Sequence, residues 1–411
     1  MGKRDVVLDE IRAFLAVYTI WGHVVAWNNL FTSDTALINF NVWVYPPLAA
    51  FFFLTGITNS LSRKRSLKEF YLTRISRLYK PYLIYALLCI LLCFIVAGLQ
   101  GSSYPKQILE IMQAKQLETG ASSLHILSPG SPIYWFLPLD YSYIPVPEGL
   151  QILTFHLWFV MVYLLTVLFI PLLRLMQESR SRLKYLPFAA LIVIMLILRG
   201  VKILYWGNGW LSPFLIGLPM SLSFALFWAY LGLFYSKLRH PSRPVKIGAA
   251  AVAFISAATV GVLLLLPKIF AHLGVELSPF WEKYFYFVFG FNRNTFPSNI
   301  TFLLLNLAVF PLLYLGSPYL IRFIRRCRRL KLIDGLMSDY ENSYLIIFLF
   351  SSFAFYLVNW SLKGLGIFDL IVKNELVGAV VLSLIMIPIC GKLGKRLSPI
   401  ENIRLTKRKK V

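Results

Sequence analysis

Stretches of about 18 to 22 mostly apolar residues recur along the whole chain. A segment of that length satisfies its own backbone hydrogen bonds across a bilayer as a helix. Ten such segments stand out, at about 8–28, 41–60, 80–99, 155–176, 185–200, 213–235, 247–266, 299–317, 343–362 and 375–393. They predict an all-α fold, a polytopic helical membrane protein with about ten transmembrane helices. By length alone, 411 residues would suggest two or three soluble domains, and the apolar repeats override that expectation. A hydrophobic content of 58% and a mean hydropathy of +0.68 point the same way. The first apolar run carries Asp9, Glu10 and Arg12, and no small-residue cleavage site follows, so it does not read as a cleaved signal peptide.

The basic residues orient this path. If both termini are cytoplasmic, 32 of the 41 lysines and arginines fall on the cytoplasmic side and 9 outside, the asymmetry expected of positive-inside insertion. That division also accounts for most of the net charge of +23. The charge is shared among membrane-edge loops and forms no single basic domain, so nucleic acid is not an expected partner. Anionic membrane lipids, or a phosphorylated ligand on the cytoplasmic side, suit it better. Cys89, Cys93, Cys327 and Cys390 show no metal-ligand spacing and read as buried or incidental thiols; no metal is expected. No internal repeat is evident, which weighs against a secondary transporter.

Residues 1–393 read as a single transmembrane domain and 394–411 as a basic cytoplasmic tail. Within the domain, 61–80 is a basic amphipathic cytoplasmic stretch ending at Pro81. Residues 100–154 form a long external loop, aromatic and proline-rich from Pro132 to Pro147, and 267–298 form a second external segment. No appended soluble catalytic domain is expected, so any chemistry is expected to fall to the membrane helices and their loops.

Few ionisable groups lie at membrane depth, where they are costly and mark pathways or reaction centres. Arg12 and His23 share the first apolar segment. Eleven residues of helix rise about 16 Å and make almost three turns, so both groups lie on one face. Arg12 alone reads as a side chain snorkelling to the headgroups and His23 as a hydrogen-bonded packing group between helices, whereas a mid-bilayer imidazole also suits general acid–base work. Arg74 and Arg77, three residues apart, share a helical face and match the bidentate needs of phosphate oxygens; the alternative is ordinary loop charge. His156 opens the run His-Leu-Trp-Phe, with Trp158, at the external start of the fourth span. It reads either as part of an interfacial belt or as a polar group where an external substrate enters. The stretch 134–145 sets Asp140 among aromatic rings, an arrangement suited to sugar rings or to an ordered lid. Asp339 and Glu341 read as helix-start carboxylates of the ninth span.

Together these motifs resemble acyltransferase family 3, multi-span proteins that O-acylate bacterial surface glycans. The opening LDEIRAFLAVYTIWGHVVAW is similar to the family's first helix with its Arg-X10-His pattern. PPLAAFFFLTGITNSLSRK resembles its second span, which ends at a glycine turn, here Thr55-Gly56. RISRLYKPYL resembles its Arg-X-X-Arg element, and HLWFVMVYLLTVLFIPLL its His-Leu-Trp-Phe helix. The likeness covers about residues 5–175 well and the remainder by topology. In the late span the customary Tyr-Leu-X-His ending is absent: Tyr344-Leu345 is followed by Ile346-Ile347. The resemblance implies a multi-pass protein of the bacterial inner (cytoplasmic) membrane. It implies transfer of an acyl group, acetyl expected, from cytoplasmic acyl-CoA to a hydroxyl of a cell-surface or lipid-linked glycan. His23 would be catalytic, as general base or transient acyl carrier. Arg12, Arg74 and Arg77 would bind the donor, and His156, Trp158 and Asp140 would lie on the acceptor side. No permanently bound cofactor is expected, with acetyl-CoA as co-substrate. The alternatives are a transporter or flippase for a lipid-linked glycan and a non-enzymatic scaffold.

Overall fold

The computed structural model describes residues 6–28, 30, 46–61, 66–119, 128–138, 141–204, 216–234, 242–274, 300–341 and 343–402. Among these residues the structure is helical and contains no strand. In its described residues each of the ten apolar segments overlaps a helix: α1 (Val6–Trp27), α2 (Pro46–Ser60), α3 (Leu67–Leu99), α5 (Trp158–Glu178), α6 (Leu186–Leu204), α7 (Leu218–Leu233), α8 (Arg243–His272), α9 (Ile300–Cys327), α11 (Tyr344–Gly364) and α13 (Glu375–Leu397). Between them lie α4 (Tyr104–Thr119), α10 (Lys331–Glu341) and α12 (Phe368–Val372), and α14 (Pro399–Asn402) follows. Among the described residues six helical stretches are long and apolar enough to cross a membrane: five lie within α3, α8, α9, α11 and α13, and one, Gln151–Glu178, takes in α5 and the turns before it. Shorter apolar helices cover Leu48–Ser60 and Leu218–Leu233. Of the second external segment, residues up to His272 continue α8 and 275–298 lie outside the described residues; the tail's first residues, to Asn402, are helical.

α3 departs from the sequence expectation. The stretch 61–80 is not a separate cytoplasmic element. From Ser66 onward it leads into one 33-residue helix that passes through Pro81. Ser66 caps this helix, its hydroxyl accepting the Glu69 amide at 3.2 Å, which starts the helix well before the proline. Pro81 lacks an N–H, so the carbonyl of Arg77 loses its usual partner one turn on while the helix continues.

The long segment after α3 is packed against the bundle. After α4, the chain from Ser128 runs beside α3 in short 3-10 turns, at Pro132–Trp135, Tyr141–Tyr143 and Gln151–Leu153. Tyrosine hydroxyls hold it there. Tyr79 donates to the Phe136 carbonyl (2.7 Å), Tyr82 to Trp135 (2.6 Å), Tyr85 to Leu153 (2.6 Å) and Tyr104 to Pro145 (2.6 Å). Tyr79 lies about 30 Å along α3 from Leu99, so this segment returns deep alongside the helix. Irregular backbone at such depth survives when protein satisfies its polar groups. Prolines 129, 132, 138, 145 and 147 contribute carbonyls but no N–H groups, and hydroxyl donors are what carbonyls need.

Among the described residues four apolar clusters build the bundle. One joins α3, the inserted segment and α11; another joins α1, α10, α11 and α13; the third joins α2, α5, α6 and α7; the fourth joins α1 and α2. α2 and α7 touch backbone to backbone. A Cβ at Gly56 would stand 2.0 Å from the Ala229 carbonyl oxygen, and one at Gly232 would stand 2.1 Å from that of Phe53. Gly56 is therefore a helical contact site and not the turn expected from the sequence. Asp339 and Glu341 are also reassigned. They sit at the end of α10 and pair with Lys395 (2.8 Å) and Arg328, respectively, instead of starting the next span.

Candidate active site

α1 is continuous from Val6 to Trp27, so the Arg12–His23 spacing is realised as helix. At the Arg12 end, Arg12 bonds Asp9 (2.9 Å) and the Thr58 hydroxyl of α2 (2.6 Å), and its guanidinium carbon lies 6.0 Å from the Tyr344 ring centre. Buried Glu10 pairs with Arg325 at 3.2 Å, and Arg174 reaches the Asn59 carbonyl at 3.4 Å. At the far end Asn359 donates to Asn28 at 2.9 Å. Arg12 and Asn28 are about 24 Å apart along α1, so His23, about 16 Å from Arg12, lies well inside the bundle.

A cavity opens among α1, α2, α3, α5 and α11. Arg12, Arg74 and Arg77 all line it, so the three cations named from sequence converge from two helices. Ser66 capping places Arg74 and Arg77 on the same α3 face, which the continuous helix turns inward. Thr55, Thr58, Asn59 and Tyr163 add polar groups. The cavity climbs α1 as far as Thr19, one turn short of His23.

Beyond its inner end stand both histidines. The His23 ring stacks on Trp27, with centroids 4.0 Å apart and planes 13° apart, and meets Phe348 at 6.1 Å and Phe355 at 6.5 Å. His156 packs against Trp27 at 6.0 Å, Tyr85 at 5.6 Å and Phe348 at 5.3 Å. It is buried beside His23 and not at an external rim, because the inserted segment carries it inward before α5 begins. His156 Nε2 lies 3.0 Å from the Leu349 carbonyl, which can only accept, so Nε2 bears the proton and Nδ1 the lone pair. The Nδ1 atoms of both histidines are buried and without a hydrogen-bond partner among the described residues.

Trp158 is half-buried, its ring 6.0 Å from Phe159, and Asp140 lies outside the described residues. The rings of Tyr134 and Trp135 are buried in the core, with the Trp135 indole donating to Tyr104 at 2.8 Å, so their faces are not open to a sugar. The missing late-span histidine has a structural counterpart: Ile347 is buried against Gly394 of α13, where a glycine Cβ would stand 2.1 Å from the isoleucine. Its neighbours Tyr344, Leu345 and Phe348 line the cavity instead.

Sequence reasoning missed Tyr163, Trp27 and Phe348. The first two carried a signal, because Tyr163 lies seven residues after His156 and Trp27 four after His23, spacings that return to the same helical face. Phe348 had none, since its position depends on how α11 packs.

Among the described residues no cluster of metal-ligating side chains occurs. No curated protein and no solved structure matches the chain. A family model does match it, describing an acyltransferase domain over residues 5–391 and thus taking in α1 through most of α13. With its helices, its arginine-lined cavity and the paired histidines all inside the matched span, the chain belongs to acyltransferase family 3.

Proposed function

We propose that the protein is a membrane-embedded O-acyltransferase that moves an acyl group, acetyl in the simplest case, from acyl-CoA to a hydroxyl of a glycan or lipid-linked sugar. The observation that carries this reading is one cavity with cations at its mouth and an unpaired imidazole nitrogen beyond its inner end. CoA bears a pyrophosphate and a 3′-phosphate on a long, narrow arm. Arg74 and Arg77 take the phosphates with charge-assisted bonds, and Arg12, held by Asp9 and Thr58, adds its charge at the same mouth. In this orientation the end carrying Arg12, Arg174 and Arg325 faces the cytoplasm, consistent with the distribution of basic residues.

The arm carries the thioester toward His23. As general base, His23 accepts the proton of the acceptor hydroxyl while the hydroxyl oxygen attacks the thioester carbonyl; the C–S bond breaks and the proton passes to the departing thiolate. The same imidazole serves equally in a two-step route through an acyl-histidine. Buried polar nitrogens without partners are rare, and a reacting group that completes the hydrogen bond accounts for this one. Family membership favours this reading over a carrier for a lipid-linked glycan.

The test is transfer by protein reconstituted in nanodiscs with labelled acetyl-CoA, reading thiol release and labelled ester. Wild-type protein releases thiol in proportion to acceptor, and His23→Asn does not. Thiol release that persists in His23→Asn at the wild-type rate removes His23 from the chemistry.

A further inference from the structure

We infer that Phe348 sets the length of the acyl group the protein accepts, an inference that rests on the donor reading above. The cavity ends at Thr19, and His23 stands one helical turn, about 6 Å, further along α1. The ring of Phe348, from α11, stands beside that step. It lines the inner end of the cavity and lies 6.1 Å from the His23 ring and 5.3 Å from the His156 ring. Phe159 packs against it at 4.8 Å, so two aromatic rings form the end wall. Trp27 and Phe355 close around His23 from behind.

This geometry separates the constant part of a donor from its variable part. Arginines at the mouth fix the phosphates, and His23 fixes where the thioester carbonyl must arrive. The arm between them is the same in every acyl-CoA. The one element that differs, the tail beyond the carbonyl, comes to rest beside Phe348 and Phe159. A two-carbon acyl group needs little room there, whereas each further methylene competes for the volume of the Phe348 ring. The reaction is unchanged: the C–S bond of the thioester breaks, the ester C–O bond forms, and the acceptor proton ends on the CoA thiol.

The experiment uses full-length protein in nanodiscs with acetyl-, butanoyl- and hexanoyl-CoA, reading kcat/KM for thiol release with each. In Phe348→Ala the ratio of butanoyl to acetyl should rise by roughly tenfold or more, the discrimination expected for methylenes in an apolar pocket. Phe348→Leu should move the ratio the same way by less, and Phe348→Trp should lower it. An altered overall rate with an unchanged chain-length ratio would reduce Phe348 to a packing residue and overturn the inference. If the alanine variant does not fold, the leucine and tryptophan variants decide: opposite shifts support the inference and identical profiles overturn it. Failure of wild-type protein to release thiol from any of the three donors would overturn the donor reading and this inference with it, and is recognised without any variant.

Discussion

α3 meets polar groups along two stretches and treats them in opposite ways. From Tyr79 to Tyr85 its tyrosine hydroxyls each donate to a carbonyl of the inserted segment, and the surrounding rings are packed into the core. One turn earlier, Arg74 and Arg77 line a cavity at which five helices meet, and beyond its inner end His23 keeps a nitrogen with no partner among the described residues. Inside a membrane an unsatisfied polar group costs free energy, so saturated groups serve the fold and open ones persist where a ligand completes them.

The largest expected effect tests the open side. His23→Asn keeps a hydrogen-bonding side chain but cannot take a proton near neutral pH, so turnover should fall by about 10²–10⁴-fold while the protein stays folded. Steady-state rates paired with calorimetric donor binding check this, and near-normal turnover would move the chemistry away from α1.

Next come the arginines. Lysine keeps the charge and loses the two-pronged contact, so Arg74→Lys or Arg77→Lys should weaken acyl-CoA binding by about 1.5–3 kcal/mol, roughly 10- to 150-fold. Isothermal titration of either variant measures it; unchanged affinity would return these residues to the role of topology signals.

On the saturated side the readout changes from activity to stability. Tyr82→Phe strands the buried Trp135 carbonyl and should cost about 1–3 kcal/mol, lowering the unfolding temperature in detergent. Turnover per folded molecule should stay near wild type. A selective loss of turnover without a stability change would blur the distinction between the two stretches.

The smallest effect is expected at the Lys395–Asp339 pair, whose lysine is largely exposed. Asp339→Asn should change stability by about 0–1 kcal/mol, measurable in the same melts. A larger loss would show that α10 is held to α13 chiefly by this contact.

Much of the site was legible in order but not in depth. Arg12, Arg74, Arg77 and His23 followed from spacing, because helical periodicity fixes which side chains share a face. The Ser66–Glu69 cap that starts α3 was not read from the sequence; Pro81 drew the boundary to the wrong place, since proline ends most helices and is tolerated here. His156 was assigned to an external rim because a long polar-then-aromatic loop reads as surface. The tyrosines that draw that loop inward lie up to 68 residues away in sequence, as with Tyr85 and Leu153.

The sequence by itself determined where the apolar helices run, since a long apolar segment satisfies its backbone hydrogen bonds within itself only as a helix. It also determined the ionisable groups each helix would carry at membrane depth. Tertiary structure alone decided that three arginines share one cavity and that His23 and His156 meet across Trp27 and Phe348. It also decided that Gly56 and Gly232 bring two backbones into contact. These are matters of which faces pack together, and that choice is made by side-chain fit between segments far apart in the chain, which no local periodicity encodes.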